Sequence, residues 1–387
     1  MTQRGIILSL MILVVASCLQ KYNAPVRPLP TGYLVVEGYI DIGGGTTNIR
    51  LSRTTPLNDS AVYLAESGGT VVVEGSLGDS GLLSPQGSGI YSAVLSLNPR
   101  EQYRLRITTS NGEQYLSGFE QPQLTPPIDS IYWASSSDGV QIFAATHDPS
   151  DSVRYFLWNY GETWEFHTYI SNLVWVYDSA LERPVTVAYR YPDMSYDSSI
   201  YTCWQGDSSS TIIVGASNQL GQSVIDAQPI TFIPQADVRL SVEYSIDVNQ
   251  IALSKNVYAF YQQLQTNTEQ LGSLFDPLPS QPAGNISCLT NPNETVVGYV
   301  YVSRQESKRK FISMLDVPFW AYVGDCFVSK PFYNNPTYIQ YNWLGNYPTI
   351  PDETTDFGAN IISFYAASYA CVDCTLTGTN IKPGFWP

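Results

Sequence analysis

Only one stretch of this chain has the spacing of a long amphipathic helix. The apolar residues that carry this spacing are Leu253, Val257, Phe260, Leu264 and Leu271. Separations of three, four and seven residues place side chains on a single helical face. Gly272 follows at a position where a left-handed residue commonly ends a helix. We therefore predict one amphipathic helix near residues 254–271. Regular structure in the rest of the chain is expected to consist of strands.

The remaining chain has the pattern of short strands. It contains 28 Tyr and 14 Phe but only 14% charged residues, a composition typical of β-rich proteins. Alternating runs are separated by Gly, Pro, Asn and Asp, and Asn111-Gly112 is a strong hairpin signal because both residues tolerate positive φ. The first predicted strands are Tyr33–Ile40, Thr47–Arg53, Thr70–Glu74, Gly89–Leu97, Tyr103–Thr109 and Glu113–Gly118. Later, Gln235–Asp247 predicts a long strand, and the charged run Arg304–Arg309 predicts a solvated loop.

These runs predict a mainly β fold in two parts. The regular spacing of the first strands indicates an N-terminal immunoglobulin-like β-sandwich at residues 31–120. The segment QPQLTPP at residues 121–127 has the composition of a linker. We assign residues 121–387 to a larger β-rich domain that contains the helix. A sandwich of this kind has little functional content by itself.

The start of the chain has the pattern of an export signal. A positive charge precedes the apolar run Ile6–Ala16, which is shorter than the roughly 20 residues that span a bilayer. Val15-Ala16-Ser17-Cys18 is similar to a lipobox, in which the cysteine is lipidated and becomes the mature N-terminus. We predict a signal peptide at residues 1–17, lipidation of Cys18 and a proline-containing tether at residues 18–30. An ordinary secretory signal with an unrelated cysteine is the alternative.

With Cys18 lipidated, five of the six cysteines remain. They are Cys203, Cys288, Cys326, Cys371 and Cys374. An exported protein meets an oxidising compartment, so we expect two disulfides and one unpaired thiol, in a pairing that spacing does not decide. Cys371 and Cys374 also form a CxxC motif, which leaves a redox centre or half of a zinc site as alternatives. No second cysteine pair completes a zinc site, and we predict no bound metal.

The segment Arg154–Tyr177 is dense in aromatic residues. Planar rings with polar tips can stack on ligands and anchor interfaces, so the segment is a candidate ligand or partner surface. The rings assigned to that surface are Trp158, Tyr160, Trp164, Trp175 and Tyr177. The two-residue spacing from Phe156 to Trp158 and Tyr160 equally fits one strand face turned towards a core. The outward-facing rings would then form the surface. The apolar chain end at residues 385–387 is expected to dock on the body or on a partner.

Charge and motifs argue against several classes of function. The formal net charge of −15 disfavours nucleic acid, which binds basic surfaces. The 2 histidines, His147 and His167, are accompanied by no nucleophile elbow, P-loop or dinucleotide fingerprint. Paired carboxylates would bind calcium or serve a glycosidase only if they were close in space. The candidate pairs are Asp193 with Asp197 and Asp352 with Asp356. We therefore expect a protein without catalytic residues or cofactors.

Three strings resemble a known family. TEQLGSLFDPLPSQPAGNISC, VVGYVYVS and the chain end CVDCTLTGTNIKPGFWP are similar to the domain of unknown function 4249 family, lipoproteins of Bacteroidota. The resemblance covers roughly Tyr33 to Pro387 and implies no established chemistry. It implies a lipid-anchored outer-membrane protein, and Leu19 rather than Asp after Cys18 permits that transfer. The cell-surface side is expected, although Leu19-Gln20-Lys21-Tyr22 stands where surface lipoproteins of this phylum show acidic residues.

The preferred functional hypothesis is a non-catalytic accessory or ligand-capture partner of a TonB-dependent transporter. It rests on the resemblance, because such lipoproteins are often encoded beside receptors of that class, and on the predicted lipid anchor and aromatic segment. A structural or assembly subunit of a cell-envelope complex is the alternative. A hydrolase, with His147 or His167 in its site, is the third hypothesis.

Overall fold

The computed structural model describes residues 32–55, 63–168, 171–217, 221–269, 284–318, 320, 322, 332–333, 337, 346–354 and 361–387. The predicted signal peptide at 1–17, Cys18, the tether at 18–30 and Cys326 lie outside these residues. None of the helices in the described part of the chain has the length and apolarity to cross a membrane.

The described residues confirm a mainly β fold. The first strands are β1 (Leu34–Asp41), β2 (Thr46–Arg53), β3 (Leu64–Ala65), β4 (Thr70–Gly75), β5 (Ser80–Gly87), β6 (Ile90–Val94), β7 (Tyr103–Thr108) and β8 (Gln114–Ser117). The middle strands are β9 (Ile128–Ser135), β10 (Gly139–His147), β11 (Tyr155–His167), β12 (Leu173–Asp178), β13 (Arg183–Tyr189), β14 (Thr202–Ser208), β15 (Ile213–Ala216), β16 (Val224–Pro234) and β17 (Glu243–Leu253). The last are β18 (Ile286–Cys288), β19 (Val302–Ser303), β20 (Gln305–Ser313), β21 (Phe332–Tyr333), β22 (Asn346–Thr354) and β23 (Ile361–Ser368). The helices are α1 (Ser198–Tyr201) and α2 (Lys255–Glu269).

The first strands build one sheet that folds back on itself. Its order is β18-β8-β7-β4-β5-β6-β2-β1-β19, with β3 beside β2. Strand β5 joins the two halves, because its first residues pair with β4 and its last residues pair with β6. Alternate apolar residues from both halves, such as Leu51 and Val73, are buried in one core. The alternation that predicts the strands thus also builds a β-sandwich.

Two strands of this sandwich come from much later in the chain. Strand β18 pairs antiparallel with β8, and β19 pairs parallel with β1, with Val302 opposite Ile40. Between them, the Val36 amide donates to the Val297 carbonyl at 2.8 Å. The predicted boundary near residue 121 therefore does not separate the two parts completely, because the segment 284–303 supplies both edge strands of the first sandwich.

A second sandwich holds the aromatic segment. A three-stranded sheet, β16-β10-β9, faces a five-stranded sheet in which β14, β11, β17 and β20 are neighbours and β15 also pairs with β11. Ile142 from the smaller sheet and Trp158 and Ile246 from the larger one are buried in a common core. Strands β11 and β17 are paired without a register shift from Tyr155 opposite Leu253 to Glu165 opposite Glu243. This long regular pairing fixes which face of β11 each aromatic ring occupies.

Helix α2 coincides with the helix predicted from spacing. Val257 and Phe260 are buried on its inner face, and Leu264 packs against the same cluster. The cluster also contains Tyr299 and Tyr301 from the segment that returns to the first sandwich. The helix therefore packs where the two sandwiches meet. Leu271, the last residue of the predicted helix, and Gly272, the residue predicted to end it, lie outside the described residues.

Two local predictions are wrong. The charged run at 304–309 is not a loop tip but lies mostly in strand β20. Its charges alternate between faces: Arg309 lies 2.9 Å from Asp247, while Lys308 donates to the Ile128 carbonyl on the other side. Residues 235–247 are not one strand either, because a turn of 3₁₀ helix at Val238–Leu240 separates β16 from β17.

A disulfide ties the end of the chain to the second sandwich. Cys374 is bonded to Cys203, 171 residues earlier. Cys371 is also disulfide-bonded, and Cys288 is a buried thiol with no bridge. The two cysteines of the CxxC motif are therefore not bonded to each other, and the motif is structural rather than a redox pair. Beyond it, Trp386 is buried against the body and its Nε1 donates to Glu165 at 3.2 Å.

Candidate functional site

The structure divides the predicted aromatic surface into core and exposed residues. Even-numbered residues of β11 face inwards, so Trp158 and Trp164 lie in the core with only 1% and 6% of their surfaces exposed. Their assignment to a ligand surface is wrong, because both side chains lie on the strand face that is buried in the core. Residues six apart on a strand share one face. Tyr160 is half-buried against that core, and its hydroxyl donates to Thr231 at 3.1 Å. Tyr177 is 52% exposed.

Four of the exposed aromatic residues in the described part of the chain lie on the hairpin of β12 and β13 and on the loop that follows it. We call this region the hairpin surface. Its exposed members are Val176, Tyr177, Leu181, Tyr189, Tyr191, Met194 and Tyr196. Trp175 belongs to β12 by its backbone, but its side chain lies outside the described residues. Strands β12 and β13 pair with each other in a two-stranded sheet, so the hairpin is not hydrogen-bonded into the sheets of either sandwich.

Stacked rings hold the loop of the hairpin surface against β11. The Tyr196 ring stacks on Tyr201 at a centroid distance of 4.3 Å, and Tyr201 stacks on His167 at 4.5 Å. Burial, together with the neighbouring Tyr196 phenol, raises the pKa of Tyr201. Such stacks contribute roughly 0.5–1.5 kcal/mol each beyond their buried area. Tyr196 is therefore fixed on one side while 47% of its surface stays exposed.

An ion pair and a helix cap add to this support. Arg190 donates to Asp197 at 2.9 Å, and the same carboxylate accepts the Ser199 amide that begins α1. The Ser199 hydrogen bonds and the Arg190 charge lower the pKa of Asp197. Because its carboxylate is already occupied, Asp197 is a poor ligand for calcium. In the described part of the chain, no group of three or more His, Cys, Asp or Glu residues could hold a metal ion.

The loop encloses one side of an open depression of about 510 Å³. Its lining combines aromatic and polar side chains, namely Tyr191, Pro192, Asp193, Ser195, Tyr196 and Ser198. Hydrogen bonds from Ser195 lower the pKa of Asp193, so this carboxylate is ionised at neutral pH. The depression therefore offers stacking faces beside a negative charge, a combination suited to neutral or cationic groups of a ligand or partner.

The histidines and the remaining acidic candidates form no recognisable catalytic arrangement among the described residues. Exposed His147 lies 2.8 Å from Asp129, whose hydrogen bond and charge raise the pKa of the imidazole. The His167 Nε2 atom lies 3.1 Å from the Glu165 carboxylate, and the His167 ring stacks on Tyr201. For the second predicted carboxylate pair, the Asp352 side chain and all of Asp356 lie outside the described residues.

Comparison with known families now adds to this geometry. The family model described as "Domain of unknown function (DUF4249)" matches residues 20–309. The chain belongs to this family. The match covers strands β1 to β19, helix α2 and the hairpin surface. It ends within β20. No curated protein matches the chain.

Sequence reasoning missed most of the hairpin surface of this DUF4249 protein. It named Tyr177 but not Tyr189, Tyr191 or Tyr196, because the aromatic segment that it considered ended at Tyr177. The available signal was the string YRYPDMSY at residues 189–196, in which three tyrosines surround a proline. Proline disfavours a strand interior, so the rings of this string could have been assigned to a loop.

Proposed function

We propose that this protein is an outer-membrane lipoprotein, on the cell-surface side, that acts as a non-catalytic accessory or ligand-capture partner of a TonB-dependent transporter. The observation that carries the proposal is the hairpin surface, where four tyrosines and a methionine of one hairpin and the loop after it are exposed. Lipidation of Cys18 would keep this surface close to other membrane proteins, since several acyl chains anchor a protein stably.

The composition of the hairpin surface is that of a protein contact. Tyrosine and methionine are enriched at interfaces, and contiguous exposed apolar side chains mark interaction sites. Tyrosine also loses little conformational entropy on binding, because it has only two side-chain torsions. The Tyr196–Tyr201–His167 stack and the Arg190–Asp197 ion pair order the loop beforehand. A preordered loop reduces the entropy cost of association.

Affinity purification tests the partner. Tagged, lipidated protein would be isolated from detergent-solubilised membranes, and each co-purifying chain identified by mass spectrometry. We expect a transporter barrel in stoichiometric amount. A variant that combines Tyr177→Ser, Tyr189→Ser and Tyr191→Ser should recover at least tenfold less barrel, corresponding to ~1.4 kcal/mol. Leu77→Ser is the matched control, because Leu77 is exposed on the first sandwich, and it should recover the wild-type amount.

The outcomes of this experiment separate the hypotheses. Repeated absence of a barrel from the wild-type preparation would refute the transporter partnership. Recovery of another envelope complex would instead support the alternative role as a structural subunit. If the triple variant kept full recovery of the barrel, the hairpin surface would not be the contact.

The proposed location has its own test at Cys18. Replacing Cys18 with Ala removes the acyl acceptor, so the protein should move from the membrane fraction to the soluble fraction. Immunoblotting of fractionated cells measures this change, and Cys288→Ala is the control because Cys288 is a buried thiol in the folded body. Retention of the Cys18→Ala protein in membranes would contradict lipid anchoring. Protease treatment of intact cells then distinguishes the cell-surface side from the periplasmic side.

A further inference from the structure

The outer face of the five-stranded sheet is unusually polar where β11, β17 and β20 run side by side. Odd-numbered residues of β11 occupy this face, opposite the core. Asn159 is paired across the sheet with Asn249, and Gly161 is paired with Asp247. On the next strand, Ser307 lies opposite Asn249 and Arg309 opposite Asp247. Side chains that both donate and accept hydrogen bonds therefore cover this part of the face.

These side chains are joined in a row that reaches the first sandwich. Asn249 donates to Asn159 at 2.8 Å and accepts from Gln305 at 2.9 Å. The Gln305 amide oxygen in turn accepts from the Tyr39 hydroxyl at 3.2 Å. Tyr39 belongs to β1, so the row crosses from one sandwich to the other. We call it the amide row, defined by Asn159, Asn249, Gln305 and Tyr39.

The amide row connects two open depressions. The first, of about 550 Å³, is lined by Asn249 together with Asp247, Arg309 and Phe385. The second, of about 610 Å³, is lined by Gln305 and Tyr39 and by the turn Gly43-Gly44-Gly45. Asn249 and Gln305 are hydrogen-bonded to each other, so the linings of the two depressions touch, and we call the two depressions with the amide row between them the polar trough. Gly161 keeps its floor open, because a Cβ at this position would meet no atom within 4 Å.

The chemistry of the trough selects among ligand classes. Its described lining residues include Asp41, Asp207 and Asp247, and Arg309 is the one lysine or arginine among them. Arg309 is already committed, since it lies 2.9 Å from Asp247 and its guanidinium carbon is 3.8 Å from the Phe385 ring centroid. Because the charges of Arg309 and Asp247 cancel, Asp41 and Asp207 leave the described lining with a net negative charge, which disfavours anionic ligands. Among the described residues, no aliphatic side chain that would favour a lipid lines the trough.

A peptide strand is a poor fit for a different reason. Peptides that add to a sheet pair with the backbone of an exposed edge. The first depression instead lies over β11 and β17, and the second is lined mainly by β1, β2 and the turn between them; each of these four strands has neighbours on both sides. Ligands must therefore be recognised by side chains: amides and carboxylates that bind hydroxyl groups, with the aromatic residues Tyr39 and Phe385 in the two depressions.

We infer that the polar trough binds a neutral oligosaccharide. Its hydroxyl groups hydrogen-bond to Asn249, Gln305 and Asp247, and the apolar faces of its sugar rings contact Tyr39 or Phe385. This inference names a ligand class for the proposed capture role but does not depend on a transporter partner. The trough and the hairpin surface are formed by different residues, so the two proposals can fail separately.

Isothermal titration calorimetry on the purified full-length protein tests the inference. The probes are neutral hexasaccharides of glucose, xylose and mannose, together with hexagalacturonate as an acidic probe. We expect at least one neutral sugar to bind and hexagalacturonate to give no signal. Gly161→Ile places a branched side chain on the trough floor and should raise the Kd at least tenfold. Its matched control is Gly221→Ile, because a Cβ at Gly221 would likewise meet no atom within 4 Å and Gly221 does not line the trough.

Three further measurements make the result decisive. Thermal denaturation should show that Gly161→Ile remains folded, and Asn249→Ala provides a second variant that shortens a side chain instead of adding one. The triple tyrosine variant of the hairpin surface should bind sugar as the wild type does. The inference is overturned if no neutral hexasaccharide binds, if hexagalacturonate binds more tightly, or if neither trough variant weakens binding.

Discussion

Replacing Trp158 with alanine is expected to lower the free energy of unfolding by about 3–5 kcal/mol, the usual cost of removing a large aromatic side chain from a core. The indole is 1% exposed and lies 5.5 Å from the Phe156 ring. Its Nε1 donates to the Gln250 amide oxygen at 2.9 Å. The substitution therefore leaves a cavity and also removes the donor from a buried acceptor. Urea denaturation followed by circular dichroism measures the loss.

Two further substitutions separate packing from surface effects. Trp158→Phe keeps most of the ring but loses the hydrogen bond to Gln250, so we expect a smaller loss of about 1–3 kcal/mol. Tyr177→Ala removes an exposed ring and should change stability by roughly 0.5 kcal/mol or less. If Trp158→Ala denatured at the same urea concentration as the wild type, Trp158 would not be a core residue and a surface role would have to be reconsidered.

Replacing Cys374 with serine should also destabilise the protein strongly. The bond to Cys203 closes a loop across a sequence separation of 171 residues, and loss of a native disulfide typically costs about 2–5 kcal/mol. The same bond holds the start of the C-terminal segment, in which the Thr379 amide donates to the Trp204 carbonyl at 2.9 Å. We expect a lower denaturation midpoint in guanidinium and faster proteolysis after residue 374.

The control for this prediction is Cys288→Ser. Cys288 is buried but has no bridge, so its substitution tests the loss of a sulfur atom without the loss of a cross-link. It should cost less than Cys374→Ser and leave proteolysis of the C-terminal segment unchanged. Equal stability of the Cys374→Ser variant and the wild type would show that the bridge does not contribute to folding stability.

The sequence predicted elements where the signal was local. Alternation located β1, β2, β4 and β7 to within a residue or two, and apolar spacing located α2. Strand β5 was missed because Gly81, Pro85 and Gly87 give it the composition of a turn. Its role in joining two halves of a folded sheet explains that composition, since bends and edges tolerate such residues.

The candidate site was harder to predict because it depends on contacts between distant residues. Alternation predicts two faces for β11, but the pairing with β17 and the opposing sheet decide which face is the core. The amide row likewise joins residues 39, 159, 249 and 305, which have no common sequence motif. Tyr177 was named in advance and the tyrosine-rich string at 189–196 was overlooked, whereas the stack of Tyr196 on Tyr201 could be seen only in the structure.

The order of the strands in the first sandwich reverses the usual order of folding during synthesis. Its first strand begins at Leu34, but its two edge strands are β18 and β19, which come much later in the chain. Until residue 303 has emerged, β1 and β8 each lack one neighbour, and unpaired edges invite pairing with other chains. The part of the protein made first is thus among the last to be completed, so a shortened chain that ends before β19 would be prone to aggregate rather than form a stable N-terminal fragment.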